Sequence, residues 1–228
     1  MADRTLNRDE VLRAALALLD DVGLRGFTMR ALAERLGTYP ATIYWHVGTR
    51  TEVLSAAGDL VLHEAMSALP DPSSTPWDEW LIQLARAYRD AMKVHPTLAQ
   101  VAVTHFDAEV TVPDQLERVV TALANAGFRG PALAAAYNAF IGSLGGWVGL
   151  EMIPEDPEQG SSPDRMEASV RDLSAEDYPT IVANLEHLAD RAFTFRWHGG
   201  ANRPMDEAFE FTLATWIEGL RAMLRRGS

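Results

Sequence analysis

Apolar residues recur every three or four positions through most of the 228-residue chain, and this spacing is that of amphipathic helices. In the first such segment Asn7 and Glu10 have the spacing of a capping box, in which two side chains satisfy backbone N–H groups at a helix start. Gly23 stands just past the last apolar turn, where helices commonly end in a left-handed residue. The apolar positions of this segment are Val11, Leu12, Ala15, Leu18, Leu19 and Val22. The pattern predicts a first helix that ends at Gly23.

Two short helical patterns and a longer one follow. Thr28 has the position of a cap for the second helix, which Gly37 ends. A third helix begins at Pro40, where proline is tolerated because N–H groups in a first helical turn have no intrahelical partner. It closes near Gly48, and Thr49 opens a second capping box for the fourth helix. A long helix followed by two short ones around a tight turn is typical of a helix-turn-helix.

The rest of the chain also follows helical spacing, and the predicted fold class is all-α. Residues 69–74 are rich in proline and serine and are interpreted as a linker. Residues 154–169 are polar, acidic and rich in helix-breaking residues, which favours a mobile loop. Further helices are predicted to begin at Pro76 and near Pro96, Pro113, Pro131, Ala175 and Pro204.

Three parts of the chain follow from this pattern. Residues 1–50 are predicted to form the helix-turn-helix head, a three-helix domain. Residues 51–69 form a connecting helix and linker, and residues 70–228 form a larger helical body.

Composition excludes several classes of protein. The chain has no cysteine, so disulfides, thiol nucleophiles and cysteine-ligated zinc are excluded, and a reducing compartment is favoured. Its N-terminal residues are charged and lack the apolar segment of a signal peptide. No uninterrupted apolar run approaches the roughly 20 residues that a membrane span needs. We therefore expect a cytoplasmic protein that does not enter a membrane.

The net charge of −12 argues at first against nucleic acid as a partner. Up to Gly58, however, seven arginines balance seven acidic residues, so the remainder of the chain carries the whole negative charge. A neutral head can bind DNA through local contacts even when the body repels it.

The third predicted helix carries an unusual load of polar and aromatic side chains. On a helical period Ile43 points towards the core, and most of its neighbours point outward. Hydroxyl, imidazole and aromatic groups of this kind can contact phosphates and base edges in a major groove. For Trp45 an alternative stays open, namely burial in the small core of the head, because large aromatic residues are usually well buried.

Residues 26–37 (GFTMRALAERLG) and 42–47 (TIYWHV) resemble the DNA-binding head of the TetR repressor family, and the likeness extends from Leu6 to Leu62. The YWHV string is most similar to the tetracycline-repressor branch. The resemblance implies that the following residues lie at the DNA surface: Arg30, Pro40, Ala41, Thr42, Tyr44, Trp45, His46 and Arg50. Met29 and the sequence of residues 39–41 depart from that branch, so we do not expect its operator sequence.

The resemblance further implies a homodimer, in which residues 131–150 and 204–224 of two subunits form a four-helix bundle. Two features of the residues agree with this. One is a face of small residues in the earlier segment: Ala134, Ala135, Ala139, Gly142, Gly145, Gly146 and Gly149. The other is an apolar stripe in the later one: Phe209, Leu213, Ile217, Leu220 and Leu224.

A pocket for a small, mainly hydrophobic ligand is expected among the middle helices. Its candidate residues are Tyr88, Gln100, His105, Phe106, Asn138, Trp147 and Met152. For each of these an ordinary place in the core is the alternative. Ala102 and His105 fall where the tetracycline repressors have histidine and threonine, so we expect that this chain does not sense tetracycline.

The resemblance thus implies a repressor that leaves a palindromic double-stranded DNA operator when its ligand binds. The first alternative is a dimeric DNA-binding regulator without small-molecule control. An enzyme is the alternative from another functional class. The six histidines of the chain, however, lack the spacing of metal ligands, and the sequence has no Gly-x-Ser-x-Gly elbow. We predict no catalytic residues, no metal and no cofactor.

Overall fold

The structure is a computed structural model that describes residues 6–104, 113–153, 163–189, 191–193 and 205–227. All regular secondary structure in these ranges is helical, which confirms the predicted fold class. The helices are α1 (Arg8–Gly26), α2 (Met29–Leu36), α3 (Pro40–His46), α4 (Arg50–Ser67), α5 (Trp77–Val94), α6 (Pro96–Thr104), α7 (Pro113–Ala126), α8 (Gly130–Glu151), α9 (Pro163–Arg171), α10 (Pro179–Ala183), α11 (Leu185–Leu188) and α12 (Asp206–Gly227).

Both predicted capping boxes are present. The backbone N–H of Glu10 donates to Asn7 Oδ1 at 2.9 Å, and that of Asn7 donates to Glu10 Oε2 at 3.2 Å. Thr49 and Glu52 make the same reciprocal pair at 3.3 and 2.6 Å. These contacts set the starts of α1 and α4, the two long helices of the head and its connection to the body.

The first helix is broken at Gly23, where it was predicted to end, but its bounds extend three residues further. Gly23 has φ +68° and ψ 177°, so it interrupts the helical backbone, but helical structure resumes and continues to Gly26. Val22, predicted to face the core, is 45% exposed. The end of α2 is as predicted, with Gly37 left-handed at φ +64° and ψ 34°.

Two predictions for the body need correction. The helix expected near Ala175 begins at Pro179, because Ser174 first forms a turn in which its Oγ accepts the N–H groups of Glu176 and Asp177. The loop predicted at 154–169 is helical from Pro163 onward, where proline occupies a first-turn position. Residues 154–162, and the predicted helix start at Pro204, lie outside the described residues.

One hydrophobic core runs from the head into the body. Helices α1 and α4 both pack against α6, so the head and the body share contacts along two helices. A polar contact reinforces them, since Nδ1 of His95, just before α6, lies 2.8 Å from Asp20 Oδ2 on α1. The largest fully buried side chains of the body are Trp80, Phe140 and Phe209.

The body end of α4 is held by an arginine clamp. Arg118 on α7 donates to the carbonyl oxygens of Leu69 at 2.8 Å and Pro70 at 2.9 Å, and also to that of Met66. Its guanidinium lies 5.6 Å from the ring centre of Trp80, whose Nε1 donates to Pro70 O at 2.9 Å. The segment predicted as a linker therefore begins with carbonyl groups fixed to α5 and α7.

Candidate nucleic-acid interface and ligand region

Helix α3 is anchored to the head by one buried side chain. Ile43 is fully buried against the core that also contains Leu32 of α2. The α3 backbone begins with Pro40, whose preceding residue Tyr39 accepts a hydrogen bond from the N–H of Thr42 at 3.0 Å. With Ile43 pointing inward, the remaining positions of this seven-residue helix are turned to the surface.

The aromatic side chains of this surface face solvent. Trp45 is 83% exposed, Tyr39 80% and Tyr44 50%, whereas Thr42 and His46 are partly exposed. The alternative that Trp45 fills the core of the head is therefore wrong. Its ring meets the ring of His46 edge to face, with centres 4.7 Å apart. Large apolar rings left in water on a short helix are typical of a binding surface.

Arg30 on α2 is also exposed. Its Nε donates to Glu34 Oε1 at 3.0 Å, one turn further along the helix, and both side chains are largely in water. Exposed ion pairs of this kind contribute about 0–1 kcal/mol. A phosphate or a guanine edge can therefore compete with Glu34 for this guanidinium at little cost.

Arg50, expected from the sequence to contact a phosphate, makes hydrogen bonds within the head. Its Nη2 donates to Leu24 O at 2.8 Å and its Nε donates to Phe27 O at 3.1 Å. The guanidinium lies 5.7 Å from the ring centre of Phe27. Two donors of Arg50 therefore point into the head, towards the turn that joins α1 to α2.

The predicted ligand residues divide into three groups. Helices α5, α6 and α8 pack against one another, and these helices carry Tyr88, Gln100 and Trp147. Met152, just after α8, is fully buried, and burial raises the pKa of the Tyr88 hydroxyl. Asn138 is exposed instead, because it lies on the outer face of α8. His105 and Phe106 lie outside the described residues, as does the side chain of Ala102.

Trp147 belongs to an aromatic cluster that surrounds a buried charge. Its ring meets those of Phe193 and Phe209 at centre distances of 5.4 and 5.0 Å. The guanidinium of Arg89 lies 4.6 Å from the centre of Phe209 and 5.7 Å from that of Trp147.

Arg89 and its partner Glu151 are both buried, and neither is among the residues predicted from the sequence. They lie 62 positions apart, and each alone has the appearance of an ordinary surface charge in an amphipathic helix. Only the packing of α5 against α8 brings them together. Among the described residues, no group of three or more histidine, aspartate or glutamate side chains is placed to hold a metal ion.

Helix α8 exposes a face of small residues. Ala134, Ala135, Ala139, Gly142 and Gly146 are all exposed, and a Cβ atom built on either glycine would meet nothing within 4 Å. Among the described helices α8 alone is long and apolar enough to cross a membrane by length and composition. Its packing against α5, α6 and α7 places it in the helical body. The free face is therefore suited to close approach of another helix.

The predicted apolar stripe of α12 has a different place. Phe209, Leu213, Ile217 and Leu220 are buried within their own subunit, so the expectation that this stripe faces a second subunit is wrong. The exposed side of α12 is instead defined by residues at successive i,i+4 positions, Phe211, Thr215, Gly219 and Met223. Phe211 is 78% exposed, which makes this side the candidate contact with a second copy.

Comparison with known proteins assigns both parts of the chain. Residues 11–57 match the family described as bacterial regulatory proteins, tetR family. Residues 69–224, more than half of the chain, match the tetracyclin repressor-like C-terminal domain.

Individual relatives agree with these matches. An HTH-type transcriptional regulator of Saccharopolyspora erythraea is 32% identical over 179 residues, which are 78% of this chain and 75% of the relative. The class C tetracycline repressor of Escherichia coli is 30% identical over 230 residues, 96% and 92% of the two chains. The crystal structure of ActR from Streptomyces coelicolor in complex with actinorhodin superposes with a TM-score of 0.74 at 26% identity, covering 95% of this chain and 97% of ActR.

Proposed function

The chain belongs to the TetR family of bacterial regulatory proteins, and from this premise we propose that it is a homodimeric, ligand-responsive repressor of transcription. Each subunit inserts α3 into a major groove of a palindromic operator, and a small molecule bound in the body releases the dimer. The protein acts in the cytoplasm, where it meets operator DNA. The observation that carries the proposal is the outward array on α3, above all the 83% exposure of Trp45.

The head has the geometry that this function requires. Buried Ile43 fixes α3, and the exposed side chains around it offer rings and hydroxyls to base edges and phosphates. We propose that the residues in contact with DNA are Arg30, Pro40, Ala41, Thr42, Tyr44, Trp45 and His46. The three parts of the chain are the head, residues 1–50, the connection, residues 51–69, and the body, residues 70–228.

The ligand region lies where α5, α6 and α8 pack together. Tyr88, Gln100, Trp147 and Met152 offer mainly apolar surface with a few polar groups, which suits a hydrophobic ligand with one or two hydrogen-bonding groups. Because α6 also packs against α1 and α4, a ligand that displaces α6 changes the position of the head. Two heads must fit the operator together, so a small change in their separation removes the gain from double attachment.

The DNA-binding proposal can be tested with purified protein and the intergenic DNA that adjoins its gene. We expect Trp45→Ala, Thr42→Ala and Tyr44→Ala each to weaken operator binding about tenfold or more, the loss of one good contact of 1–3 kcal/mol. Melting temperatures should stay near that of the wild type, because the removed groups are exposed or partly exposed. Asp114→Ala on α7, far from α3 in the chain, is the control. Equal affinity of all three variants and wild type would contradict the proposal.

The ligand proposal has its own experiment. Ligands that bind the folded protein raise its melting temperature, so a panel of hydrophobic aromatic compounds is screened by thermal shift and then for operator release. We expect at least one compound to do both, and tetracycline with magnesium to do neither. A panel without any shift, combined with normal operator binding, would favour the dimeric regulator without small-molecule control.

A further inference from the structure

Arg50 joins the connecting helix to the turn that begins the helix-turn-helix. It is the first residue of α4, and it reaches back 23 and 26 positions to the carbonyl oxygens of Phe27 and Leu24. The two contacts use different nitrogen atoms, Nε at 3.1 Å and Nη2 at 2.8 Å, so the guanidinium is held in one orientation.

The turn that Arg50 holds joins α1 to α2. Residues 24–27 follow the backbone break at Gly23, and the described backbone hydrogen bond that closes the turn runs from the N–H of Phe27 to Gly23 O at 3.1 Å. Phe27 is buried and Thr28 caps α2 by accepting the N–H of Ala31 at 3.0 Å. The cation of Arg50 thus satisfies carbonyl groups at the end of α1, where positive charge is favourable.

We propose that Arg50 is a positioning residue, which makes the helix-turn-helix move as one body with the start of α4, and that it is not a phosphate contact. This inference rests on the proposed DNA-binding function. Helix α4 is the covalent connection between head and body, so its first residue is where a displacement must be passed to α2 and α3. Arg50 transmits this displacement through its two hydrogen bonds and its contact with the Phe27 ring.

The chemistry of the interaction separates this role from phosphate binding. A lysine ammonium carries the same charge as arginine but lacks the planar fork that reaches two carbonyl oxygens at once. A phosphate contact depends mainly on charge and therefore tolerates lysine. Two hydrogen bonds from one planar guanidinium to two carbonyl oxygens cannot be made by lysine in the same way. Arg50→Lys and Arg50→Ala should therefore behave alike under our proposal and differently if Arg50 binds a phosphate.

The first experiment measures binding to a full palindrome and to a single half-site as salt is varied. We expect both variants to weaken palindrome binding about tenfold and to leave half-site binding near that of the wild type, since only the palindrome needs a fixed spacing of two heads. The slope of log K against log salt should stay that of the wild type. If Arg50 binds a phosphate, Arg50→Ala instead lowers the slope by roughly 0.9 for each phosphate that is no longer neutralised, and Arg50→Lys leaves binding near normal. Either of those results overturns the proposal.

Arg30 provides the matched control, because it is an exposed arginine of the same head that is proposed to contact DNA directly. Arg30→Ala should lower the salt slope and weaken half-site binding, with about the square of that loss on the palindrome, where two contacts are lost instead of one. A merely structural role of Arg50 would weaken half-site binding as well, with a large fall in melting temperature, and would overturn the proposal.

The second experiment needs no DNA. The chain has no cysteine, so spin labels can be placed at Glu34→Cys on α2 and Asp114→Cys on α7, both exposed, and diluted with unlabelled chain to isolate the intrachain distance. We expect one narrow distance distribution in the labelled protein that retains Arg50, and a broad one when Arg50→Lys or Arg50→Ala is added. If the distance distribution between the labels is unchanged in both variants, the proposal that Arg50 couples the helix-turn-helix to α4 is overturned. If the distance distribution broadens but the wild-type protein binds no DNA, the coupling by Arg50 is supported and the proposed function is overturned.

Discussion

Arg89 and Glu151 form a two-point ion pair in the interior of the body, with Nε–Oε2 and Nη2–Oε1 distances of 2.7 Å. The same guanidinium donates to Asp206 Oδ1 at 2.7 Å, and Glu151 also accepts the N–H of Met205 at 2.8 Å. These contacts connect α5, the end of α8 and the beginning of α12. They set the relative position of the two helices whose exposed faces are candidates for the subunit contact.

Arg89→Met should therefore destabilise the protein strongly. The change leaves Glu151 in the interior without its guanidinium partner, and removing one member of a buried pair costs about 3–5 kcal/mol. Urea denaturation followed by circular dichroism measures the destabilisation. Arg86→Met is the matched control on the same helix, because its ion pair with Glu210 is about half exposed and is expected to contribute less than about 1 kcal/mol. Equal destabilisation by the two substitutions would contradict this account.

Acid should loosen α12 from α5. Arg221 holds the pKa of Asp78 below its ordinary value of 3.8, Lys93 and Arg89 do the same for Asp206, and Arg86 lowers the pKa of Glu210 from 4.5. Because the folded-state pKa is lower in each case, the stabilisation is complete above the ordinary values and is lost as pH falls through the folded ones.

The measurement for this prediction is the melting temperature between about pH 6 and pH 2.5. We expect little change down to the ordinary pKa values and a steep fall below them. Asp78→Asn should lower the melting temperature at neutral pH and reduce the acid-induced fall, since one of the titrating groups is already absent. A variant with an unchanged profile would exclude the Asp78–Arg221 ion pair as a contributor.

Gly23→Ala should destabilise the head through backbone strain alone. The conformation of Gly23, φ +68° and ψ 177°, is one that residues with a Cβ rarely adopt, at a cost of about 1–3 kcal/mol. A Cβ at this position would meet nothing within 4 Å, so no steric clash contributes. Denaturation of Gly23→Ala measures the cost. Gly58→Ala on α4 has ordinary contacts and a helical backbone and should not be destabilising.

The small-residue face of α8 should be sensitive to bulk. Gly142→Leu and Gly146→Leu place large side chains where each subunit has open space by itself, so the fold should be retained. In the dimer the same side chains would separate the paired helices, and we expect a shift from dimer to monomer in sedimentation velocity. Asp114→Leu on α7 adds the same side chain outside this face and should stay dimeric.

The head could be predicted largely from local signals. Asn7, Thr49 and Gly37 each act through backbone groups within a few residues, so sequence spacing was enough to place the starts of α1 and α4 and the end of α2. The exposure of Trp45 could not be predicted in this way, because local periodicity does not tell whether a large ring is covered by another part of the chain. The same limit applies to Arg50, whose carbonyl partners lie in a different turn.

The body was predicted less well, for a related reason. The spacing of Phe209 and Leu213 correctly indicated an apolar stripe on α12, but periodicity cannot distinguish a stripe that packs within its own subunit from one that meets another. The partners of Arg89 lie 62 and 117 positions away, so their pairing depends on how α5, α8 and α12 pack. The exposure of Asn138 could not be predicted, because the face of α8 that packs on α6 and α7 is known only from the structure.

Helix α4 has arginine contacts at both ends, Arg50 on the head side and Arg118 on the body side. Its 18 residues span about 27 Å at the usual rise per residue. If the Arg118 end is a fulcrum, a tilt of only about 5° displaces the opposite end by roughly 2 Å over that length. A small shift of α6 against the middle of α4 would therefore produce a larger displacement at the Arg50 end, next to the helix-turn-helix.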